Sequence, residues 1–399
     1  MSGLTTERAA DRHADGAAPK ATAATAATGA PGAPGAPGAP GAPEGPRPPR
    51  VPAPSAAGPV LRIGSRIAVP VARRPLAVGA ALVAFLLAAA FGTLTMGGLG
   101  IEPSKLLGAL FGGAEDGKQA FVLGHLRGPR LVVAVGAGIA LGLSGALFQS
   151  VTRNPLGSPD VIGVSAGAGA GAALFGLLLP GTASIPLGSV LGAAAAVGLV
   201  ALGTGTGFGN PLRMILAGIG VSAMAAAFTQ YVVYVVARDQ ATMLSSYLNG
   251  SLEARSWEHA ATIGVVLLVC AVPLALLSVP LALSEMGDDV AQALGSPASG
   301  TRRRAVVLSV VLAGGAVAVA GPIAFISLTA PHIARRLARS GRPQLLLSGL
   351  TGALLLVVAD LVAQQAPWAQ ALPVGILTLA IGGVYLGALL VREFRKGSA

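Results

Sequence analysis

Gly112 to Lys118 reads GGAEDGK, the nearest approach in this sequence to a catalytic device. It satisfies the Gly-x4-Gly-Lys part of a phosphate-binding loop, in which backbone N–H groups and the lysine cradle nucleotide phosphates. Gln119, however, stands where a Ser or Thr would hold magnesium, and Glu115 and Asp116 would repel phosphate. Gly167, Gly169 and Ala172 in GAGAGAA imitate a dinucleotide fingerprint, but inside an uncharged run with no soluble strand ahead of it. Small residues there let helices approach closely in a membrane instead. His13, His125, His259 and His332 are scattered without a carboxylate cluster, so neither a metal site nor an acid–base pair is spelled out. Cys270 is the single cysteine and lies in an apolar run, which excludes an intrachain disulfide. The sequence therefore predicts no catalytic residue, no metal site and no cofactor: a passage rather than an enzyme.

The elements that could form such a passage follow from composition. Of 399 residues 53% are hydrophobic and 11% charged, and the mean hydropathy is +0.73, which places the chain among membrane proteins. Uncharged runs long enough to cross a hydrocarbon core extend from Pro75 to Ile101, Leu131 to Thr152, Val161 to Leu212, Met214 to Ala237, Ala260 to Ser284, Ala305 to Pro331, Gln344 to Ala359 and Leu361 to Val391. Prolines split several: Pro180 and Pro186 in the third, Gly321-Pro322 in the sixth, Pro367 and Pro373 in the last. The expected fold is all-α, a polytopic membrane protein of about ten transmembrane helices, because helices satisfy their own backbone in lipid and open strands do not. Residues 1–66 hold no apolar run and repeat Gly-Ala-Pro from Gly29 to Pro43; they read as a disordered, Ala/Pro/Gly-rich cytoplasmic tail ahead of a membrane domain spanning 67–399.

Orientation follows from the short basic loops, which stay in the cytoplasm. With both termini inside, Arg62, Arg66, Arg73 and Arg74, then Arg153, Arg213, Arg302 to Arg304, Arg335, Arg336, Arg339, Arg342, and finally Arg392, Arg395 and Lys396 fall on the cytoplasmic face. The net charge of +11 is then mainly topology, and its dispersal over separate loops argues against nucleic-acid binding. Lys105, Lys118, Arg127, Arg130, Arg238 and Arg255 are exceptions on the outer side. Arg127 and Arg130 flank Pro129 just ahead of the second long run and are expected to be exposed cations there. Asp360 is expected to be the one ionisable residue within a span, near its outer end, where it could reach the interface. One titratable span residue is little for an ion-coupled carrier, so an energy source outside the chain is favoured; a secondary transporter remains the alternative.

Two interruptions face the cytoplasm in this arrangement. RNPLGSP, Arg153 to Pro159, is a tight turn whose prolines stop both helix continuation and backbone donation. It reads either as a terminator, with Asn154 capping and Arg153 anchored to lipid phosphate, or as taking a direct part in gating or in touching an ATPase. Ser284 to Arg304 places Met286, Val290, Ala293 and Leu294 at helical spacing, with Glu285, Asp288, Asp289 and Gln292 around them and a turn at Gly295, and so predicts a short amphipathic helix pair.

The run from Arg127, RGPRLVVAVGAGIALGLSGALFQSVTRNPLGSPDVIGVSAGAGAG, resembles the permease subunits of ABC importers for iron-siderophores, haem and cobalamin. The resemblance continues through LNGSL and SW between Leu248 and Trp257, Leu294-Gly295, GPIAFISLTAPHIARRL from Gly321, GALLLVVADL from Gly352 and LPVGILTLAIGG from Leu372, in the family's order over about residues 70 to 395. It implies a bundle like the cobalamin-importer permease, a second permease subunit of the same or a homologous chain with the path between the two, two ATP-binding subunits below, and a multi-pass place in the cell membrane. It further implies that 284–304 couples to an ATP-binding subunit through Glu285, Asp288, Asp289, Ala293, Leu294 and Gly295. Gln149, Asn154, Pro155 and Leu156 form the inner turn or gate by the same resemblance, and Arg127 and Arg130 receive acidic residues of an extracellular or periplasmic solute-binding protein. A third family arginine that commonly follows the Ala-Asp motif is replaced by Gln364. A metal chelate such as a ferric siderophore suits the spans better than a bare ion, because they offer Gly, Ala, Leu, Ser, Thr and Gln rather than ligands for naked Fe(III).

Overall fold

The computed structural model describes residues 60–63, 67–70, 73–111, 117–182, 184–205, 211–236, 248–369 and 372–397. The tail up to residue 59, most of the GGAEDGK stretch and the loop bearing Arg238 lie outside the described residues. A small antiparallel hairpin comes first: β1 (Val60–Ile63) pairs with β2 (Ile67–Pro70), Val60 opposite Pro70 and Ile63 opposite Ile67. The helical expectation did not contain it. Valine and isoleucine flanking a short polar turn favour such pairing, and the hairpin straddles the boundary assigned at residue 66.

Thereafter the described chain is helical. α1 (Arg73–Thr95), α2 (Pro103–Phe111) and the single-turn α3 (Gly117–Phe121) lead through a π-helical turn at Val122–Leu126 into α4 (Arg127–Thr152). A 3₁₀ turn (Pro159–Ile162) precedes α5 (Val164–Ala173), α6 (Ile185–Thr204) and α7 (Pro211–Val235). α8 (Trp257–Ser284), the short α9 (Asp288–Ala293) and α10 (Ala298–Ala320) follow, then α11 (Ile326–Ala338), α12 (Leu345–Gln365) and α13 (Val374–Gly397). Among the described residues seven helices are long and apolar enough to cross a membrane, and two shorter apolar ones, beginning at Val164 and Val374, accompany them. Together with the amphipathic α11 they account for the ten helices expected from the apolar runs, and the protein is an integral membrane protein.

α4 is the axis of the bundle. It is buried along almost its whole length and packs on α8, α10, α11 and α12, while α5, α6 and α7 form a neighbouring group joined to it through α10. The approach of α4 to α12 depends on missing side chains: a Cβ added at Gly352 would stand 2.2 Å from the Gly138 carbonyl oxygen. Close backbones of this kind supply the packing that lipid, itself apolar, does not drive. Polar atoms at this depth are paired. Ser144 Oγ donates to the Ser309 carbonyl at 2.6 Å and Ser309 Oγ to the Ser144 carbonyl at 2.9 Å, which ties α4 to α10 reciprocally.

The predicted bend at Gly321-Pro322 is present as a non-helical break between α10 and α11. LNGSL fills the break: Ser251 N–H donates to the Ala320 carbonyl at 2.9 Å, and Gly375 N–H donates to the Gly250 carbonyl at 3.0 Å. The indole Nε1 of Trp257, from the SW pair, donates to the Gly124 carbonyl at 2.7 Å and fixes the start of α8 against the π turn ahead of α4.

Candidate functional site

The end of the bundle where α4, α8 and α11 finish gathers residues far apart in sequence. α4 stops at Arg153, which adopts the left-handed conformation with φ 49°. Asn154 then accepts the Leu156 N–H on its side-chain oxygen at 2.9 Å, an Asx turn that rigidifies the corner without capping a further helix. Arg153 is turned toward the segment that follows α8. Its Nη2 donates to the Ser284 carbonyl at 2.8 Å and pairs with Asp288, so the inner turn is clamped onto the segment between α8 and α10. Asp288 takes a second guanidinium, Arg302 of α10, at 3.2 Å. Gln149 is buried, donates to the Leu328 carbonyl at 2.9 Å and accepts from Arg335 of α11; Ser150 Oγ donates to Glu285 at 2.9 Å. A cavity of about 610 Å³ opens between these groups, lined by Gln149, Asn154, Pro155, Glu285, Arg335 and Arg336 among others. The two interruptions read separately from sequence are one site.

Within it the two carboxylates are tuned in opposite directions. Partial burial pushes the Glu285 carboxyl above the ordinary glutamate range, against the pull of Ser150, Arg335 and Arg153. For Asp288 slight burial works upward too, but Arg153 and Arg302 together outweigh it and hold the group below the usual aspartate range.

The predicted helix pair is realised as α9 and the first turns of α10, with the corner between them at Gly295, φ 78°. α9 carries Asp288 and Asp289 at its N-terminus, where the helix dipole favours anions. Only Ala291 of its apolar face is turned inward and buried. Met286 is 66%, Val290 41% and Leu294 59% exposed, Ala293 and Gly295 are exposed beside them, and so the apolar side of this amphipathic segment is bare.

At the opposite end the structure corrects one expectation. Arg127 and Arg130 are not exposed cations. Arg127 is 8% exposed and its Nη1 donates to the Thr93 carbonyl of α1 at 2.6 Å. Arg130 meets Asp360 with two guanidinium nitrogens at 2.7–3.1 Å. Asp360, expected as the ionisable residue within a span, is buried on α12, and Gln364 adds a hydrogen bond from Nε2 at 2.7 Å. The cause is the close α4–α12 packing, which draws the facing charges together away from water. Gln364 thus continues the polar chain where the family's further arginine is absent. Arg127 and Arg130 still line a cavity of about 320 Å³, with His125, Glu253 and Gln364 on its wall.

Two polar contacts escaped the sequence reading. Asp160, in the 3₁₀ turn after the inner loop, accepts hydrogen bonds from Ser165 and from Ser327 of α11, the latter at 3.3 Å. His332 Nδ1 and the Tyr385 hydroxyl are 2.5 Å apart and join α11 to α13. Asp160 carries a local signal, a serine five residues on; His332 and Tyr385 are 53 residues apart and carry none. No group of three or more His, Cys, Asp or Glu side chains suited to a metal occurs among the described residues.

With this geometry established, likeness to known proteins is decisive. Residues 82–392 match the model of the FecCD transport family. The chain belongs to that family. It is 39% identical to the ferric enterobactin transport system permease protein FepG of Escherichia coli, over 82% of this chain and 99% of that protein. It is 36% identical to the Fe(3+)-citrate import system permease protein YfmE of Bacillus subtilis, over 81% of this chain and 97% of that protein. Among solved structures, one described as an inward-facing conformation of a metal-chelate type ABC transporter superposes with a TM-score of 0.69 at 27% identity, covering 79% of this chain and 99% of that one. The chain is a transmembrane permease subunit of an ABC transporter, and the all-α fold and family expected from its motifs are borne out.

Proposed function

We propose that this FecCD permease carries a ferric siderophore or similar metal chelate into the cell across the cytoplasmic membrane, with both its termini in the cytoplasm, and that separate ATP-binding subunits drive it by docking on α9. The observation that carries the reading is the bare apolar face of Met286, Val290 and Leu294, held in a fixed orientation by the Arg153–Asp288–Arg302 node. An amphipathic helix with an unpartnered apolar side and a rigid anchor suits insertion into a groove of another protein. The node connects that helix directly to α4 and α10, so a displacement of α9 is passed to the centre of the bundle through one ion-paired unit. Relatives named for ferric enterobactin and ferric citrate supply the cargo class.

A second permease subunit completes the path. A solute-binding protein docks at the opposite end over the mouth that Arg127 and Arg130 line, where Asp360 already balances Arg130. Asp360 is thereby engaged in structure rather than free to carry a coupling proton, and nothing favours the ion-coupled alternative.

The test is co-purification of the ATP-binding subunit with the permease carrying Asp288→Arg and Asp289→Arg. The pair should be lost or greatly weakened by charge reversal at the anchor. Retention at the wild-type level would remove α9 from the interface.

A further inference from the structure

Arg302, Arg303 and Arg304 are consecutive but have different surroundings. Arg302 reaches Asp288. Arg303 and Arg304 are exposed and make neither a hydrogen bond nor an ion pair with any described residue. Both stand at a groove of about 490 Å³ between α8 and α10, whose walls are Leu276, Leu277 and Pro280 of α8 and Val307 and Leu308 of α10. Farther along the pair the helices touch: a Cβ added at Gly315 would come 2.8 Å from Val266 Cγ1. Toward the arginines bulkier side chains stand between them and the groove opens. Leu276 is 74% and Val307 49% exposed, on helices long and apolar enough to lie in the hydrocarbon.

We infer that this groove is a seat for one anionic phospholipid, with an acyl chain along Leu276, Leu277, Val307 and Leu308 and the phosphate at Arg303 and Arg304. The charge complementarity fixes the class of occupant. Two uncompensated guanidinium groups beside an apolar channel between membrane-spanning helices match a molecule that is anionic at one end and aliphatic at the other, and guanidinium is the donor geometry best suited to phosphate. A water-soluble protein would have to reach between helices long and apolar enough to lie in the hydrocarbon. The seat adjoins the coupling segment, since Arg302 in the same turn of α10 holds Asp288 of α9. Its assignment to the cytoplasmic leaflet rests on the orientation proposed above; the seat itself does not.

Native mass spectrometry of the full-length permease in detergent, titrated with phosphatidylglycerol or phosphatidylethanolamine, reads the seat without reference to leaflet, so an error of orientation would not disturb it. Wild type should retain phosphatidylglycerol in preference, and Arg303→Gln with Arg304→Gln should weaken that retention by about 30-fold, the product of the attraction expected of two basic residues. Val307→Trp, which fills the groove and keeps both arginines, should weaken retention of both lipids. Arg342→Gln, an exposed arginine elsewhere in the chain, should change neither. Equal retention by the double variant, no effect of Val307→Trp, or an equal loss in Arg342→Gln would each overturn the inference, the last by showing diffuse attraction to a basic surface.

Discussion

At one end of the bundle Asp360 meets Arg130 with its side chain 2% exposed, and at the other Asp288 meets Arg153 and Arg302 with its side chain 47% exposed. Arg130 and Asp360 are 230 residues apart and Arg153 and Asp288 are 135 apart, and both contacts use bonds of the same chemistry. Burial separates their consequences. In the first, Asp360 has exchanged water for its partner and Arg130, 20% exposed, has done so in large part, so deleting one leaves the other poorly compensated in a poor solvent. In the second, water solvates Arg153 or Asp288 when the other leaves, and that contact contributes little to the stability of the fold. The second therefore orients α9, the docking element proposed above, without fixing the bundle, while the first holds α4 to α12.

The largest expected effect is at the buried pair. Asp360→Asn should lower stability by about 3 kcal/mol, the range found when one partner of a buried pair is removed, read as a drop in apparent unfolding temperature in detergent. Replacing both partners by apolar residues, Arg130→Met with Asp360→Leu, should recover most of the loss. If the double variant is as unstable as the single one, the contact does more than balance charge.

Glu285 sharpens the comparison through pH. Its native carboxyl holds a proton to higher pH than the unfolded group, so the unfolded state is favoured progressively as pH rises from the ordinary value of 4.5 through the raised one. Glu285→Gln should remove that dependence: relative to wild type it should gain stability as pH increases across this window. A difference that does not vary with pH would mean that Glu285 ionises as it does in the unfolded chain.

The smallest effect on the fold belongs to Arg153→Gln, which leaves Asp288 with Arg302. With Arg153 44% and Asp288 47% exposed, stability should change by about 0–1 kcal/mol, within the scatter of thermal unfolding. A loss comparable to that of Asp360→Asn would erase the distinction between the two ends.

The legibility of these two regions in sequence differed as well. The helices were plain because lipid imposes a long uncharged run on every span, and prolines marked the breaks near residues 180, 322 and 373. α9 was legible from the spacing of Met286, Val290 and Leu294. The Arg130–Asp360 pair was not, because 230 residues separate its members and the close approach of α4 to α12 brings them together; Arg130 alone looked like an outer-surface cation and Asp360 like a lone charge in a span. The partners of Arg153 were hidden for a similar reason. An arginine after a helix has lipid phosphate within reach by default, and nothing local shows that a carbonyl at Ser284 lies closer. The hairpin before α1 was overlooked because four-residue strands are too short to display a period.

The most direct test is accumulation of a ferric chelate in proteoliposomes holding the permease, its ATP-binding subunits and a loaded solute-binding protein, measured at constant ATP with and without a proton gradient. Uptake should persist when the gradient is collapsed, stop when ATP is withdrawn, and fall to background when the permease carries Asp288→Arg and Asp289→Arg. Uptake that follows the proton gradient at constant ATP, or that proceeds at the wild-type rate with both charges reversed, would contradict an ATP-driven passage coupled through α9.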